Sequence, residues 1–312
     1  MISRDFEKIW ISLVNSNGFR RFAKWGPASI VFRHHIYQKL LSIRLYAITY
    51  RYRYQKPTYY QDVNTYCTFI GHTKSGGSLI SSQLDAHQNI IMSDEMDALQ
   101  FVSAGFSREQ IIHIIARISR KEFLKGRVTA RRLNPYSLLV PDQWQGRYHK
   151  LVVVGDSKAG KTTQNLANNP ELLKRLRSVM GEVEIKFIHV IRNPYDPISI
   201  MMIRGQRKIQ DAIEHYFDNC ENLAKIRSQI GESNIFSIRY EDYIREPRTK
   251  LANLCHFLGV QASDEYLTAC INVLRKTPDR SREQVKWDPQ WIDVVKRKID
   301  SYDFLDGYTY EN

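Results

Sequence analysis

The sequence predicts an α/β protein whose central sheet is mostly parallel and flanked by helices, with a helical extension at its N-terminus. Three observations lead to this prediction. Four short, apolar, β-prone runs alternate with stretches that have helical periodicity. Three of these runs end directly at a glycine or an arginine that opens a polar loop. The chain has 312 residues and is 43% hydrophobic, which is enough to build one large α/β domain with a real core.

The four predicted strands are the runs 65–70, 151–154, 187–191 and 235–240. The first is followed by a glycine-containing loop and a helical stretch to about Leu84. A later helix is announced by Ser107 and Gln110, which have the spacing of a capping box. In parallel sheets, ligands bind where the carboxyl ends of the strands meet. We therefore expect the loops after these strands to carry the chemistry.

Composition and cysteine spacing exclude several classes of protein. The content of apolar and aromatic residues is too high for a disordered chain. No run approaches the roughly 20 apolar residues that a membrane span requires, and charged residues interrupt the early apolar stretch, so we expect no secretory signal. The four cysteines lack the spacing of a zinc site or a disulfide framework. We interpret them as reduced, mostly buried thiols of a cytoplasmic protein.

The positive charge is concentrated near the N-terminus. The formal net charge is +13, and residues 1–60 hold 11 Lys and Arg against 2 Asp and Glu, so this segment alone carries 11 − 2 = +9. We predict a basic helical extension over residues 1–60 and an α/β domain over 61–312, with an insertion at about 95–150 on the substrate side. The basic segment could bind nucleic acid, or contact a membrane surface through residues 1–56. We favour a solvated helical face, with neither partner, because no named recognition module matches; the oligomeric state stays open.

The first predicted strand leads into a loop suited to an anionic group. The loop consists of Gly71, His72, Thr73, Lys74, Ser75, Gly76, Gly77 and Ser78. Small residues let successive backbone N–H groups turn toward one anion, and the following helix adds the positive end of its dipole. Lys74 supplies a cation, and Ser75 and Ser78 supply hydroxyl donors. An ordinary strand-to-helix turn is the plainer alternative.

A second loop, residues 155–162, matches the Walker A pattern G-x-x-x-x-G-K-[ST] and also follows a strand. Alone it would indicate ATP or GTP chemistry. However, the next strand ends in Arg192 rather than in the metal-holding Asp that a nucleoside triphosphatase needs. The chain also places a phosphate-type loop on its first strand. A P-loop kinase or nucleoside triphosphatase is therefore the alternative function, not the preferred one.

Two further loops complete the set. Arg192 stands at a strand end, where a guanidinium can hold an anion with two hydrogen bonds, and Ser199 follows in the next helix. A capped turn into that helix is the plainer interpretation. Residues 239–243 form an acidic strand end that includes Tyr240, and by chemistry alone this motif is weak.

Together the four loops resemble the sulfotransferases that use 3′-phosphoadenosine 5′-phosphosulfate (PAPS). The resemblance covers about residues 63–300 and implies a P-loop nucleotide-binding-like fold. Lys74 stands at the lysine or arginine position of the family's 5′-phosphosulfate loop. The stretch 192–199 is similar to the 3′-phosphate motif, although Ser199 follows its arginine by seven residues where many members have eight. Residues 1–60 have no counterpart in the family.

The resemblance also implies the remaining cofactor contacts. Tyr240 corresponds to the tyrosine beside the adenine, and residues 280–287, with Ser281 and Arg282, are similar to the segment that closes over the 3′-phosphate. PAPS is then the sulfuryl donor, no metal is expected, and the acceptor is a small molecule. Within the family, the chain resembles a microbial natural-product branch, such as the saxitoxin-pathway sulfotransferases.

The resemblance further implies a general base after the first helix. The acceptor must lose a proton to a group within hydrogen-bond reach. The candidates in this region are His87, Asp94, Glu95 and Asp97, and family members similar here use a glutamate at the position of Glu95. From the residues alone, Glu95 would be a solvated acid, and His87 would cap the C-terminus of the helix. His72 and Asp156 are lesser candidates.

Overall fold

The computed structural model describes residues 43, 45–52, 60–94, 96–128, 137–275 and 277–312. The chain divides into two compact units, Met1–Tyr50 and Arg51–Asn312. Residues 45–52 are helical. Most of the predicted basic extension lies outside the described residues, and so does Glu95, so the structure does not test these two predictions.

The second unit is built on a five-stranded parallel sheet. Its strands are β1 (Thr65–Gly71), β2 (Ile90–Ser93), β3 (Val153–Asp156), β4 (Glu184–Ile191) and β5 (Ile235–Arg239). They are ordered β2-β3-β1-β4-β5, and every neighbouring pair is parallel. The predicted fold class is confirmed. Four strands fall where the apolar runs place them, whereas β2 is a strand that the sequence analysis missed.

Helices flank this sheet and fill the intervals between its strands. The α-helices are α1 (Gly77–Asp85), α2 (Ala98–Ser103), α3 (Arg108–Leu124), α4 (Ala159–Asn168), α5 (Glu171–Met180), α6 (Tyr195–Gly205), α7 (Ile209–Ile230), α8 (Tyr240–Arg245), α9 (Pro247–Phe257), α10 (Asp264–Asn272) and α11 (Pro289–Ile299). The predicted capping box is present: the Ser107 hydroxyl accepts from the Gln110 N–H at 3.4 Å, and the Gln110 side chain accepts from the Ser107 N–H at 3.0 Å. Helix α3 therefore begins where the sequence predicts.

Two apolar clusters hold the helices to the sheet. One joins the sheet to α1, α9 and α10 through fully buried side chains such as Phe69, Leu84 and Leu251. The other joins α6, α7 and α11 through Ile198, Tyr216 and other buried side chains. All four cysteines are free thiols and buried, as the sequence analysis expected. These two clusters thus pack helices against the sheet whose carboxyl edge carries the candidate loops.

A buried carboxylate ties α1, β2, α3 and the segment before β3 together; we call it the Asp85 clasp. Asp85 is 0% exposed and accepts the Met92 N–H at 2.7 Å, the Ser119 hydroxyl at 2.7 Å and the Gly146 N–H at 3.0 Å. The Arg127 guanidinium forms a buried ion pair with the same carboxylate. Burial raises the pKa of Asp85 and Arg127 opposes that rise. Four groups from four parts of the chain therefore depend on one side chain.

Within the described part of the chain, no helix has the length and apolarity needed to cross a bilayer. The same residues bring together no group of three or more side chains that could ligate a metal ion.

Candidate active site

The loop after β1 has the shape of an anion cradle. Strand β1 ends at Gly71, helix α1 begins at Gly77, and the five residues between them reverse the chain. The backbone is left-handed at Gly71 (φ 105°), Lys74 (φ 69°) and Gly76 (φ 99°). A lysine in this conformation is held there by its surroundings at an energetic cost, a feature that clusters at functional sites. The Lys74 side chain itself is exposed.

Tyr240, the first residue of α8, covers this loop. A Cβ added to Gly76 would lie 2.3 Å from Cδ2 of the Tyr240 ring, so the loop and the ring touch with no room for a side chain. The Arg192 guanidinium lies 5.3 Å from the centroid of the same ring. The loops after β1, β4 and β5 therefore meet at one point of the sheet edge.

Arg192 joins these loops directly. Its Nη1 donates to the Lys74 carbonyl at 3.2 Å, and its Nη2 donates to the Asp279 carbonyl in the C-terminal segment. Its Nε lies 3.4 Å from the Asp196 carboxylate, and the residue is 6% exposed. Lys74 and Arg192, which the sequence analysis places at the two ends of one nucleotide, are thus neighbours at the same sheet edge.

A second arginine shares the same carboxylate. Asp196 accepts the Arg282 backbone N–H at 3.0 Å, and the Arg282 Nε lies 3.6 Å from it. Burial raises the pKa of Asp196, and Arg192 and Arg282 oppose the rise. The Nε atoms of Arg192 and Arg282 are buried without a hydrogen-bond partner among the described residues. Two guanidinium groups against one carboxylate leave a positive charge and spare donors for an anion.

Ser199 lies deeper than the sequence analysis expects. It is 0% exposed, and its hydroxyl accepts the indole N–H of Trp287 at 3.0 Å. Trp287 belongs to the cluster beneath α6, so the hydroxyl points into the packed interior between α6 and the C-terminal segment. Ser281 is also nearly buried, at 3% exposure. The structure therefore gives no support to Ser199 as a phosphate ligand.

The Walker-like loop does not form a second cradle. Gly155 and Asp156 are still part of β3, and α4 begins at Ala159, so only residues 157 and 158 connect the two elements. Packing accounts for both glycines of the pattern. A Cβ on Gly155 would lie 2.2 Å from the Cys67 carbonyl of β1, and a Cβ on Gly160 would lie 2.9 Å from Thr73. This stretch supports the first loop rather than enclosing a phosphate of its own.

Two residues that the sequence analysis missed form hydrogen bonds to the backbone of Gly71, where the first loop begins. The Thr163 hydroxyl of α4 accepts the Gly71 N–H at 2.8 Å, and the Asn219 amide of α7 donates to the Gly71 carbonyl at 2.9 Å. No sequence signal marks Asn219, which lies 148 positions from Gly71. From the sequence, Asp196 has the features of an ordinary acidic residue in the first turn of a helix, where acids are common.

His72 is neutral at physiological pH. Its Nε2 donates to the Tyr216 carbonyl at 2.9 Å, and its ring stacks on the Tyr216 ring at a centroid distance of 3.9 Å. Burial lowers the pKa of His72 to about 4. A conjugate acid this strong makes the ring a weak proton acceptor, so His72 serves better as a support of the loop than as a base.

The other base candidates differ sharply in their surroundings. Asp156 is 1% exposed and accepts from Tyr66 at 2.6 Å and from Thr68 at 3.1 Å, and burial raises its pKa to about 6. Asp97 caps α2 and accepts from Asn165 at 2.9 Å. Both oxygens of Asp156 are engaged by these hydroxyls, whereas Oδ1 of Asp97 is buried without a hydrogen-bond partner among the described residues.

His87 and Asp94 lie on opposite ends of the β2 region. His87 is buried, accepts the Asn89 N–H at 3.1 Å and donates to the Gln261 carbonyl at 2.9 Å. Burial lowers its pKa, so it bridges the turn after α1 as a neutral ring and not as the capping cation that the sequence analysis expects. Asp94 directly follows β2, is half-buried and accepts from Ser157 at 3.2 Å. Only Asp94 stands at the carboxyl edge beside the position of Glu95.

Comparisons with known proteins agree with this geometry. The model of the family described as "Sulfotransferase family" matches residues 68–264, an interval that contains the loops of Lys74, Arg192 and Tyr240. A search of curated proteins found no match.

Three solved structures show the range of the structural likeness. The sulfotransferase domain from the curacin biosynthetic pathway is 17% identical with a TM-score of 0.48, over 77% of this chain and 99% of that domain. The sulfotransferase domain of the Synechococcus PCC 7002 olefin synthase is 18% identical with a TM-score of 0.42, over 75% and 88%. A mouse sulfotransferase complexed with PAP is 13% identical with a TM-score of 0.40, over 76% and 84%.

Proposed function

Because the chain belongs to the sulfotransferase family, we propose that it transfers a sulfuryl group from PAPS to a hydroxyl or nitrogen of a small-molecule acceptor. The observation that carries the proposal is the hydrogen bond from Arg192 to the Lys74 carbonyl. This bond holds the exposed Lys74 close to the nearly buried guanidinium of Arg192. One nucleotide with phosphate groups at two ends could therefore contact both cations. The four free, buried cysteines fit a reducing compartment such as the cytoplasm.

The residues present fit such a donor. Arg192 and Arg282, whose Nε atoms face the single Asp196 carboxylate without a hydrogen bond to it, bring two guanidinium groups to the site of the anion. The cradle between Gly71 and Gly77 offers backbone N–H groups at the N-terminus of α1. We assign the cradle and Lys74 to the 5′-phosphosulfate, and Arg192 with the adjoining Ser281 and Arg282 to the 3′-phosphate. Tyr240, which covers the loop, is placed to contact the adenine.

PAPS supplies an activated sulfuryl group whose bond to the bridging phosphate oxygen breaks while a bond from sulfur to the acceptor forms. Lys74 neutralises the negative charge that grows on the bridging oxygen, so charge stabilisation comes from the protein and no metal is needed. The cradle holds the donor in line with the acceptor. The acceptor proton passes to a carboxylate at the end of β2, for which we retain Glu95. Strands β2 and β1 are two strand spacings apart, roughly 10 Å, so the end of β2 and the cradle after β1 are close enough to flank one transfer path.

To bind the 3′-phosphate, Arg192 would exchange one of its present hydrogen-bond acceptors. Its Nη2 donates to the Asp279 carbonyl in the segment that leads to Ser281. A phosphate oxygen can replace that carbonyl because an ionised acceptor forms the stronger hydrogen bond with a guanidinium. This exchange would couple nucleotide binding to the position of the C-terminal segment.

The test is a calorimetric titration of the protein with adenosine 3′,5′-bisphosphate (PAP) and, separately, with ATP–Mg²⁺. We expect tight binding of PAP and weak binding of ATP–Mg²⁺. In a separate assay of sulfuryl transfer from PAPS, Lys74→Ala should lower the rate about 10²- to 10³-fold, the usual effect of removing one charge-stabilising donor. Lys161→Ala, the matched variant in the Walker-like loop, should leave it unchanged. Preference for ATP–Mg²⁺, or sensitivity to Lys161 alone, would reject the proposal in favour of a P-loop kinase or nucleoside triphosphatase.

A further inference from the structure

A basic and partly apolar surface lies at the end of the sheet opposite the candidate active site. Tyr60 precedes β1 and Tyr148 precedes β3, so both stand at the amino ends of strands. Lys74 and Arg192 follow the carboxyl ends of β1 and β4. The two aromatic residues line a groove of about 580 Å³ together with the outer face of α3. Because the two ends of a parallel sheet are separate, this groove is no part of the nucleotide site.

Helix α3 presents a row of cations along this groove; we call it the α3 face. Arg117, Arg120, Lys121 and Lys125 occur at helical spacing and are all exposed. Three of them stand three or four residues apart, and so share one side of the helix. Glu122 pairs with Lys125 at 3.1 Å. The face therefore keeps an excess of positive charge.

Apolar side chains are exposed at the end of the same helix. Leu124 is 68% exposed, Val128 is 49% exposed and Tyr148 is 39% exposed. They are three of the six large hydrophobic side chains that are exposed among the described residues. Exposed aliphatic groups surrounded by cations are costly in water unless something covers them, and their grouping at one helix end indicates a binding surface.

Two tyrosines that precede β1 contact helix α3 beside this face. Tyr52 stacks on His113 of α3 with a centroid distance of 3.8 Å, and Tyr60 forms a hydrogen bond to the same ring at 3.1 Å. The chain thus enters the second unit at the α3 face. The sequence before this point, residues 1–50, is basic and rich in aromatic residues.

We propose that the α3 face docks the protein on an anionic phospholipid surface. Lys and Arg around exposed aliphatic groups match such a surface in both respects: the cations meet the lipid phosphates, and Leu124 and Val128 enter the interface. An acidic protein would match the cations of the α3 face but not its exposed aliphatic side chains. Docking through this end leaves the carboxyl edge of the sheet, with Lys74 and Arg192, facing away from the lipid and open to soluble substrates.

The experiment is co-sedimentation of the full chain with vesicles of phosphatidylcholine containing phosphatidylglycerol, and with vesicles of phosphatidylcholine alone. We expect binding to the anionic vesicles, weakening as salt is added, and none to the neutral ones. Reversing the four cations, in R117E/R120E/K121E/K125E, should lower binding at least about tenfold, since each cation near an anionic surface contributes measurably. Leu124→Asp should also weaken binding.

The controls separate this surface from charge in general and from misfolding. The variant K174E/R175E/R177E/K225E reverses four exposed cations on α5 and α7 and should bind the vesicles as the unaltered protein does. Thermal unfolding and PAP titration should be the same for both sets. Binding that survives reversal of the α3 face, or that is lost only on deleting residues 1–50, would overturn the proposal. The proposal would also be overturned if soluble polyglutamate bound the α3 face as well as the anionic vesicles do, since the occupant would then be an acidic protein. A dimer that Leu124→Asp dissociates would overturn it too, because the occupant would then be a second copy of the chain.

Discussion

At the scale of single residues, the candidate site depends on close contact between backbone and side chains. Gly76 has a left-handed backbone and no space for a Cβ beneath the Tyr240 ring. Lys74 keeps a left-handed backbone beside the Arg192 guanidinium. Such positions leave the loop with few alternative conformations, which suits a cradle whose donors must be in place before the anion arrives.

The Gly76 contact gives a testable prediction. Gly76→Ala should destabilise the protein and abolish PAP binding, because it adds a clash with Tyr240 to the backbone strain. Gly105→Ala is the matched control: Gly105 has φ 78° but nothing within 4 Å of the added Cβ. It should cost only the strain of a left-handed alanine, about 1–2 kcal/mol. Urea unfolding measures both, and equal losses would contradict the clash.

His72 gives a prediction about pH. Because burial lowers its pKa to about 4 in the folded protein, the unfolded chain binds a proton at this residue below about pH 6.5 while the folded protein does not. The His72 contribution to stability is therefore complete above pH 6.5 and is lost as the pH falls toward 4. Asp156 acts in the opposite direction, since its raised pKa lets the folded protein keep a proton up to about pH 6.

The His72 effect is isolated by a difference measurement. Urea unfolding across pH 4 to 7 should show a shallower loss of stability on acidification in His72→Gln than in the unaltered protein. Identical pH slopes would show that His72 titrates normally in the folded state.

At the scale of elements, the Asp85 clasp holds the insertion against the sheet. Its carboxylate accepts from the backbone of β2, the hydroxyl of α3 and the segment before β3. Strand β2 ends one residue before Asp94 and leads directly into the region of the proposed base. The clasp thus connects α1, the helix that follows the cradle, with β2, the strand that precedes the proposed base.

Removing one partner of the clasp should be severe. Asp85→Asn leaves the Arg127 guanidinium buried without its counter-charge, and we expect a loss of about 3–5 kcal/mol in the free energy of unfolding. The double variant Asp85→Leu/Arg127→Met should recover part of it. Glu171→Gln, which breaks the exposed pair with Lys174, should cost less than about 1 kcal/mol. A small effect at Asp85 would mean that hydrogen bonds other than the ion pair hold the insertion.

At the scale of the whole molecule, the sequence predicts the sheet better than it predicts the site. The runs at β1, β3, β4 and β5 are apolar enough to identify buried strands, whereas β2 has only the four residues of Ile90–Ser93. Strand order depends on long-range packing that no local pattern contains. The hydrogen bond between Trp287 and Ser199 is hidden from the sequence for the same reason, because the two residues lie 88 positions apart.

Nucleotide binding should stabilise the whole second unit without a metal. Lys74, Arg192 and Arg282 supply the positive charge, so PAP at about 100 times its dissociation constant should add about 2.7 kcal/mol to the free energy of unfolding. Thermal unfolding with PAP should shift upward by several degrees, and EDTA should leave the shift unchanged. Loss of the shift in EDTA would require a cation in the site.

Because the Thr163 hydroxyl accepts the Gly71 N–H, the stretch from 155 to 163 should tolerate substitution at some positions and not at others. Saturation mutagenesis from position 155 to position 163 should find intolerance at both glycines and at the threonine, and indifference at Lys161. A nucleoside triphosphatase would show the reverse at its lysine. Without the structure, this pattern of intolerant positions would suggest an ATP-binding motif that has lost its function. In the structure, the same residues support the loop after β1.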